Sequence, residues 1–160
     1  MAEKKGYLPF HEAVAKAEHY CAYQERCHSE VREKLFSIQA HPADMDEIIL
    51  HLIRNNFLNE ERFAMAFARG KFRALQWGRI KIRLELKRRK ISDTLIRQAL
   101  ASIDEEEDEA TLKNLLEKKL RSIKDVGWQR ARKAAAYASG KGFEPEMALS
   151  MANRLCGSEV

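Results

Sequence analysis

Apolar residues recur along this chain at intervals of three and four rather than at alternate positions, the spacing of one face of an α-helix. From Phe10 to Tyr23 the apolar stripe is Val14, Ala17 and Cys21, and Pro9 suits the helix start. Ser29 to Ser37 predicts a short second helix with Val31 and Leu35 on one face. Asp44 and Glu47 have capping-box spacing ahead of Ile48, Ile49, Leu52 and Ile53, and this third helix breaks at Asn55-Asn56. Asn59 is a candidate cap for a helix carrying Phe63, Ala66 and Phe67. Trp77-Gly78 interrupts, a helix resumes from Arg79 to Lys90, and Ser92 caps one bearing Leu95, Ile96, Ala99 and Ile103. The acids at 104–109 open a long helix to about Ile123, with Lys118, Lys119 and Arg121 near its end, as the helix dipole favours. Asp125-Val126-Gly127 breaks it, Trp128 to Ser139 forms the next, and Gly140-Lys141-Gly142 ends that one. The last helix follows Pro145 with Met147, Ala148, Met151 and Leu155 inward.

The fold class expected is therefore all-α, with nine helices in three tandem three-helix repeats spanning 8–57, 58–103 and 104–156 and forming an elongated curved rod. A shift of 52 residues sets Ile91 on Phe143, Leu95 on Met147, Ile96 on Ala148, Ala99 on Met151 and Ile103 on Leu155. A shift of 47 sets Ile48, Ile49 and Leu52 on Leu95, Ile96 and Ala99. A three-helix unit of about 50 residues is marginal alone, so the units are expected to be buried against each other. The helix at 79–90 fits that expectation: Ile80, Leu84 and Ile91 share one face and Ile82 and Leu86 the opposite one. Packing from both sides would leave Arg79, Arg83, Lys87 and Lys90 looking outward together.

Charge adds a functional direction. The net charge of +5 is mild, but between Arg69 and Lys90 ten basic residues meet one acid, Glu85. Six successive acids follow at 104–109. Segregation of this kind steers a polyanion to one face. No run of 18 apolar residues occurs, so no membrane span is expected, and residues 1–6 lack the apolar stretch of a secretory signal. A cytoplasmic location follows as an expectation. Cys21, Cys27 and Cys156 show no metal or disulfide spacing, and Cys21 and Cys156 read as core residues. His11, His19, His28, His41 and His51 give no ligand set, and no glycine-rich phosphate loop is present. No cofactor, no metal and no catalytic residue is expected: the chain reads as a binding protein, not an enzyme.

The segment Asn56-Phe57-Leu58-Asn59-Glu60-Glu61-Arg62-Phe63-Ala64-Met65-Ala66-Phe67 resembles a signature of the RecX family, Gly-Leu-(Leu/Ile)-Asp-Asp-x-Arg-Phe-Ala-x-x-Phe. The stretch from Trp77 to Ile91 is similar to the family's Gly-x-x-x-Ile-x-x-Glu-Leu-x-x-Lys-Gly-Ile segment, with Lys90 where glycine is common. Glu30-Val31-Arg32-Glu33-Lys34-Leu35 and Gly140-Lys141-Gly142-Phe143 resemble family segments of the first and third repeats. The resemblance spans roughly His11 to Leu155. It implies a rod seated in the groove of a RecA–single-stranded-DNA filament, with a role in recombinational DNA repair and the SOS response. It also implies reduced ATP hydrolysis, strand exchange and coprotease activity by that filament. The partners expected are the RecA filament and, more weakly, single-stranded DNA itself, engaged by a monomer.

The binding residues expected are Arg79, Lys81, Arg83, Lys87, Arg88, Arg89 and Lys90, with a second cluster of Arg130, Arg132, Lys133 and Lys141. Such a fork of cations suits phosphates or carboxylates. Its bland counterpart is a solvated helix face, but such faces usually intersperse acids, and only Glu85 is available here. Arg26, Arg32 and Lys34 form a third cluster, and equivalent helices could align all three into one stripe. Trp77 and Trp128, each beside a glycine, read as packing at repeat junctions. Arg62 reads as paired to a nearby acid. The alternative function is a general nucleic-acid-binding helical protein acting on DNA without RecA.

Overall fold

The computed structural model describes residues 5–157. Residues 1–4, part of the stretch read as lacking a signal, lie outside them. Among the described residues the chain forms nine α-helices and no strand. They are α1 (Phe10–Tyr23), α2 (His28–Ser37), α3 (Met45–Arg54), α4 (Glu60–Leu75), α5 (Arg79–Arg88), α6 (Asp93–Ala101), α7 (Glu105–Ser122), α8 (Gly127–Gly140) and α9 (Pro145–Gly157). The caps explain the boundaries. The side chains of Asn59, Ser92 and Asp104 accept from the amides of Arg62, Leu95 and Glu107, satisfying first-turn donors that have no partner within their helices. The capping box expected at Asp44 does not form. A 3-10 turn at Pro42–Asp44 precedes α3, leaving Asp44 helical in its backbone and without a side-chain cap bond.

Three hydrophobic cores succeed one another along the chain. The first joins Ala13, Ala17, Val31, Leu35, Ile48 and Leu52 from α1–α3. The second is built on Phe63, Phe72, Ile82, Leu86 and Ile96 from α4–α6, and the third on Leu112, Leu116, Ala131, Ala134 and Ala148 from α7–α9. The 52-residue repeat is visible in burial, since Ile96, Ala99 and Leu100 match Ala148, Met151 and Ala152. The 3-10 turn, absent from the other two units, accounts for the shorter shift that aligns α3 with α6.

Contrary to expectation, the units are not buried face to face. Every pair of helices in extensive contact lies within one unit. The accessible surface is 10292 Å², against about 8,200 Å² for a compact monomer of this size. The chain is therefore an extended array of three small cores.

The units join through narrow seams. In each, the link between the second and third helices carries one left-handed residue: Gln39 (φ 63°), Lys90 (φ 60°) or Gly142 (φ 101°). The start of the preceding unit's middle helix rests on that turn. At the second seam the amides of Gly78 and Ile80 donate to the carbonyls of Lys141 (2.8 Å) and Gly142 (3.0 Å). At the first, the Ser29 hydroxyl donates to the Arg89 carbonyl at 3.3 Å. The turn of the first unit receives the chain's own leading segment, with the Leu8 amide on the Gln39 carbonyl at 2.8 Å.

Candidate interaction surface on the second unit

The middle helix α5 differs from the two-faced helix expected. Ile82 and Leu86 are fully buried, but Ile80 and Leu84 are 39% and 53% exposed. Ile91 is buried because the left-handed turn at Lys90 carries it round into the core, not because it continues a second face. The helix packs on one side only, and its outward arc mixes aliphatic and cationic side chains.

The cations divide into two kinds. Arg79 does not face outward: its Nη1 meets Asp108 Oδ2 at 2.7 Å and its Nη2 donates to the Ile103 carbonyl at 2.7 Å, tying α5 to the start of α7. Burial pushes the Asp108 carboxyl above its ordinary range, and the Arg79 charge only partly opposes this. Arg89 grips its own helix through Glu85, at 3.1 Å to the carboxylate and 2.9 Å to the carbonyl, and lies over the Phe67 ring at 4.7 Å. Arg88 pairs with Glu85 at 2.9 Å but stays exposed. Lys81 lies 4.5 Å from the centre of the Trp77 ring. Arg83, Lys87 and Lys90 are exposed. Lys87 reaches Asp93 at 3.8 Å, and a pairing between two exposed side chains at that distance holds it weakly.

Arg83, Ile80 and Leu84 border a groove of about 410 Å³ with Met147 and Phe143 of the third unit and Glu144 at its rim. Met147 is 49% exposed, so aliphatic surface from two units meets there. Lys141 is brought beside the start of α5 through its carbonyl bond to Gly78.

The remaining predicted residues lie elsewhere. Arg130 donates to the Leu120 carbonyl at 3.2 and 2.8 Å and so caps α7. Lys133 pairs with Asp125 at 2.7 Å, while Arg132 is exposed beside Trp128. Neither tryptophan fills a repeat junction: Trp77 packs against the core of its own unit, and Trp128 is 66% exposed. Arg62 pairs with Glu25 at 3.0 Å across the first seam, as its sequence reading proposed. Cys27, not singled out by sequence, is fully buried in the second core although it precedes α2. Its amide bonds the Glu30 carboxylate at 3.1 Å. Sequence reasoning also passed over Ile80, Leu84 and Met147 as surface residues, because their helical spacing reads as core. No group of three or more possible metal ligands and no helix able to cross a membrane occurs among the described residues.

Comparison with known proteins places this geometry in a family. Residues 59–100 match the description of the second three-helix domain of RecX, and residues 105–150 that of the third. A protein of Pelodictyon phaeoclathratiforme named regulatory protein RecX is 30% identical over 122 residues, 74% of each chain. Its namesake from Bacillus cytotoxicus is 28% identical over 84% of this chain but only 50% of its own length, so this chain spans about half of that relative. The crystal structure of RecX from Lactobacillus salivarius superposes with a TM-score of 0.79 at 25% identity, covering 91% of this chain and 96% of that one. By its sequence and its three-helix units, this chain belongs to the RecX family.

Proposed function

We propose that this protein is a regulator that binds the RecA–single-stranded-DNA filament and inhibits its ATP hydrolysis, strand exchange and coprotease activity. The contact surface in this reading is the outward arc of α5, with Arg83, Lys87 and Lys90 flanking Ile80 and Leu84, and with Met147 and Lys141 contributed by the third unit. The observation that carries it is the exposure of aliphatic side chains among the cations. A phosphate backbone needs cations alone, whereas a protein interface pairs an apolar centre with a polar rim. The family resemblance supplies the partner. In this role the chain acts as a cytoplasmic monomer without chemistry of its own; Arg79, Arg89 and Arg130 hold its shape while the exposed cations meet the filament.

A titration of the protein into RecA, single-stranded DNA and ATP tests this. Hydrolysis should slow at near-stoichiometric amounts, and Leu84→Asp should weaken the effect about tenfold, the cost of a buried interface anchor. Unchanged hydrolysis across a salt series would overturn the reading. Gel shifts showing tighter binding to bare than to RecA-coated DNA would favour direct action on DNA instead.

A further inference from the structure

The link between α7 and α8 in the third unit exposes apolar side chains amid cations. Val126 is 81% exposed, the highest value of any large apolar residue among the described residues, and Trp128 follows two positions later. Neither belongs to the third core, which takes only Ile123 from this link. Nothing lies within 4 Å of the position a Cβ would occupy on Gly127, so the link stands clear of the rest of the chain.

From Lys118 to Lys133 the sequence carries seven basic residues and one acid, Asp125. Three of the cations are engaged. Lys133 meets Asp125 at 2.7 Å, Arg130 holds the Leu120 carbonyl at 2.8 Å, and Lys119 lies 4.5 Å from the centre of the Tyr137 ring. Lys118, Arg121, Lys124 and Arg132 are exposed and take part in no ion pair among the described residues. α7 ends at Ser122 and α8 begins at Gly127. At 1.5 Å per helical residue, all four cations therefore lie within about 8 Å of the link, measured along the helix axes.

We propose that this link docks on an anionic phospholipid surface of the phosphatidylglycerol type. Val126 and Trp128 enter the interface, and Lys118, Arg121, Lys124 and Arg132 face the headgroup phosphates. A phosphate strand gains from cations and a flat ring, but nothing from the branched side chain of Val126. A bilayer uses all three: the indole at headgroup level, the aliphatic group below it and the cations on anionic lipid. A pair of inserted side chains with a few cations holds a protein reversibly and needs no spanning helix. The α8–α9 turn that meets α5 lies at the other end of α8, about 20 Å away. The inference therefore does not rest on the RecA reading.

Cosedimentation of the full chain with vesicles of phosphatidylglycerol and phosphatidylcholine, against phosphatidylcholine alone, tests it. Binding should require the anionic lipid and weaken as salt rises. Tryptophan emission should shift to the blue on binding, and Trp128→Ala should abolish the shift although Trp77 remains. Val126→Asp should weaken binding about tenfold while Val126→Leu retains it, since insertion asks only for an apolar side chain. Lys124→Ala should weaken it about fivefold, the loss of one cation near an anionic surface. All three residues are exposed, so folding is spared. Equal binding to both vesicle types, no binding to either at low salt, or equal affinity of wild type and Val126→Asp would each overturn the proposal. So would single-stranded DNA binding that Val126→Asp weakens as much as vesicle binding, because the link would then serve nucleic acid.

Discussion

The seam between the first and second units is made through side chains, whereas that between the second and third adds direct backbone-to-backbone bonds to its Arg79–Asp108 ion pair. At the first, Ser29 reaches the Arg89 carbonyl, Arg62 reaches Glu25, and the Glu60 carboxylate accepts from the His28 amide at 3.2 Å. At the second, two amides at the start of α5 bond two carbonyls of the α8–α9 turn directly. The same architectural contact is thus made at two separations. Side chains tolerate replacement and small shifts. Backbone contact demands glycine on both sides, so the second seam is the more rigid and the more easily broken.

The glycines give the largest expected effect. A Cβ on Gly78 would overlap the backbone of Gly142 and Phe143, and one on Gly142 would overlap Lys81 while also straining a left-handed backbone. Gly142→Ala should therefore cost about 3 kcal/mol, from combined overpacking and strain. Gly78→Ala, with an ordinary φ of −80°, should cost less because only the overlap remains. Chemical denaturation followed by circular dichroism measures both. A loss below about 0.5 kcal/mol in Gly142→Ala, the range of ordinary surface changes, would mean that the two units separate freely.

Arg62→Ala strikes the first seam. It removes the Glu25 pairing and the bonds to Asn56, at 2.7 Å to the side chain and 2.9 Å to the carbonyl. The other Glu25 oxygen is buried without a hydrogen bond, so the carboxylate would lose its remaining partner. Both side chains are about one-third exposed, and water can replace part of what is lost. A cost of about 1–2 kcal/mol is expected, smaller than that of Gly142→Ala in the same denaturation experiment.

Lys90 and Gly142 occupy equivalent turns, and their difference sharpens the comparison further. A lysine fits at the first seam because Ser29 bridges the gap, while the closer second seam leaves no room for a side chain. The left-handed backbone of Lys90 still carries strain that glycine would relieve. Lys90→Gly should raise stability by about 0.5–1 kcal/mol. If Lys90 touches the filament, the same change should weaken inhibition, so stability and inhibition would move in opposite directions.

Much of this was legible in the sequence where local chemistry decides. Asn59, Ser92 and the acids before α7 mark helix starts because a first turn needs an acceptor or a negative charge, and those needs are met within four residues. The packing of α5 was not legible. Ile80 and Leu84 have the spacing of a buried face, and only the narrowness of the seams leaves them exposed. Arg79 read as one of a row of equivalent cations, since its bond to Asp108 depends on where the next unit begins, 29 residues later. Trp77-Gly78 and Gly140-Lys141-Gly142 were visible as breaks, but their meeting in space was not.

The second seam also holds a small titration effect that tests how its ion pair is balanced. Arg79 at 2.7 Å pulls the Asp108 carboxyl toward ionisation, while burial pushes the other way. Burial prevails, because the second oxygen of Asp108 is enclosed without a hydrogen bond and the carboxylate is only half-satisfied. The folded protein then holds this proton at a higher pH than the unfolded chain does. Asp108 is protonated in both states below the unfolded value. As pH rises from there to the folded value, the unfolded chain binds fewer protons and folding loses stability. Above both values the loss is constant. Asp108→Asn lacks this titration, so wild type should lose a little stability relative to the variant as pH rises through the carboxylate range. Denaturation of both proteins at several pH values reads the difference directly. A gain by wild type over the same range would mean that the Arg79 attraction outweighs burial, and that the backbone seam is reinforced by a net favourable ion pair.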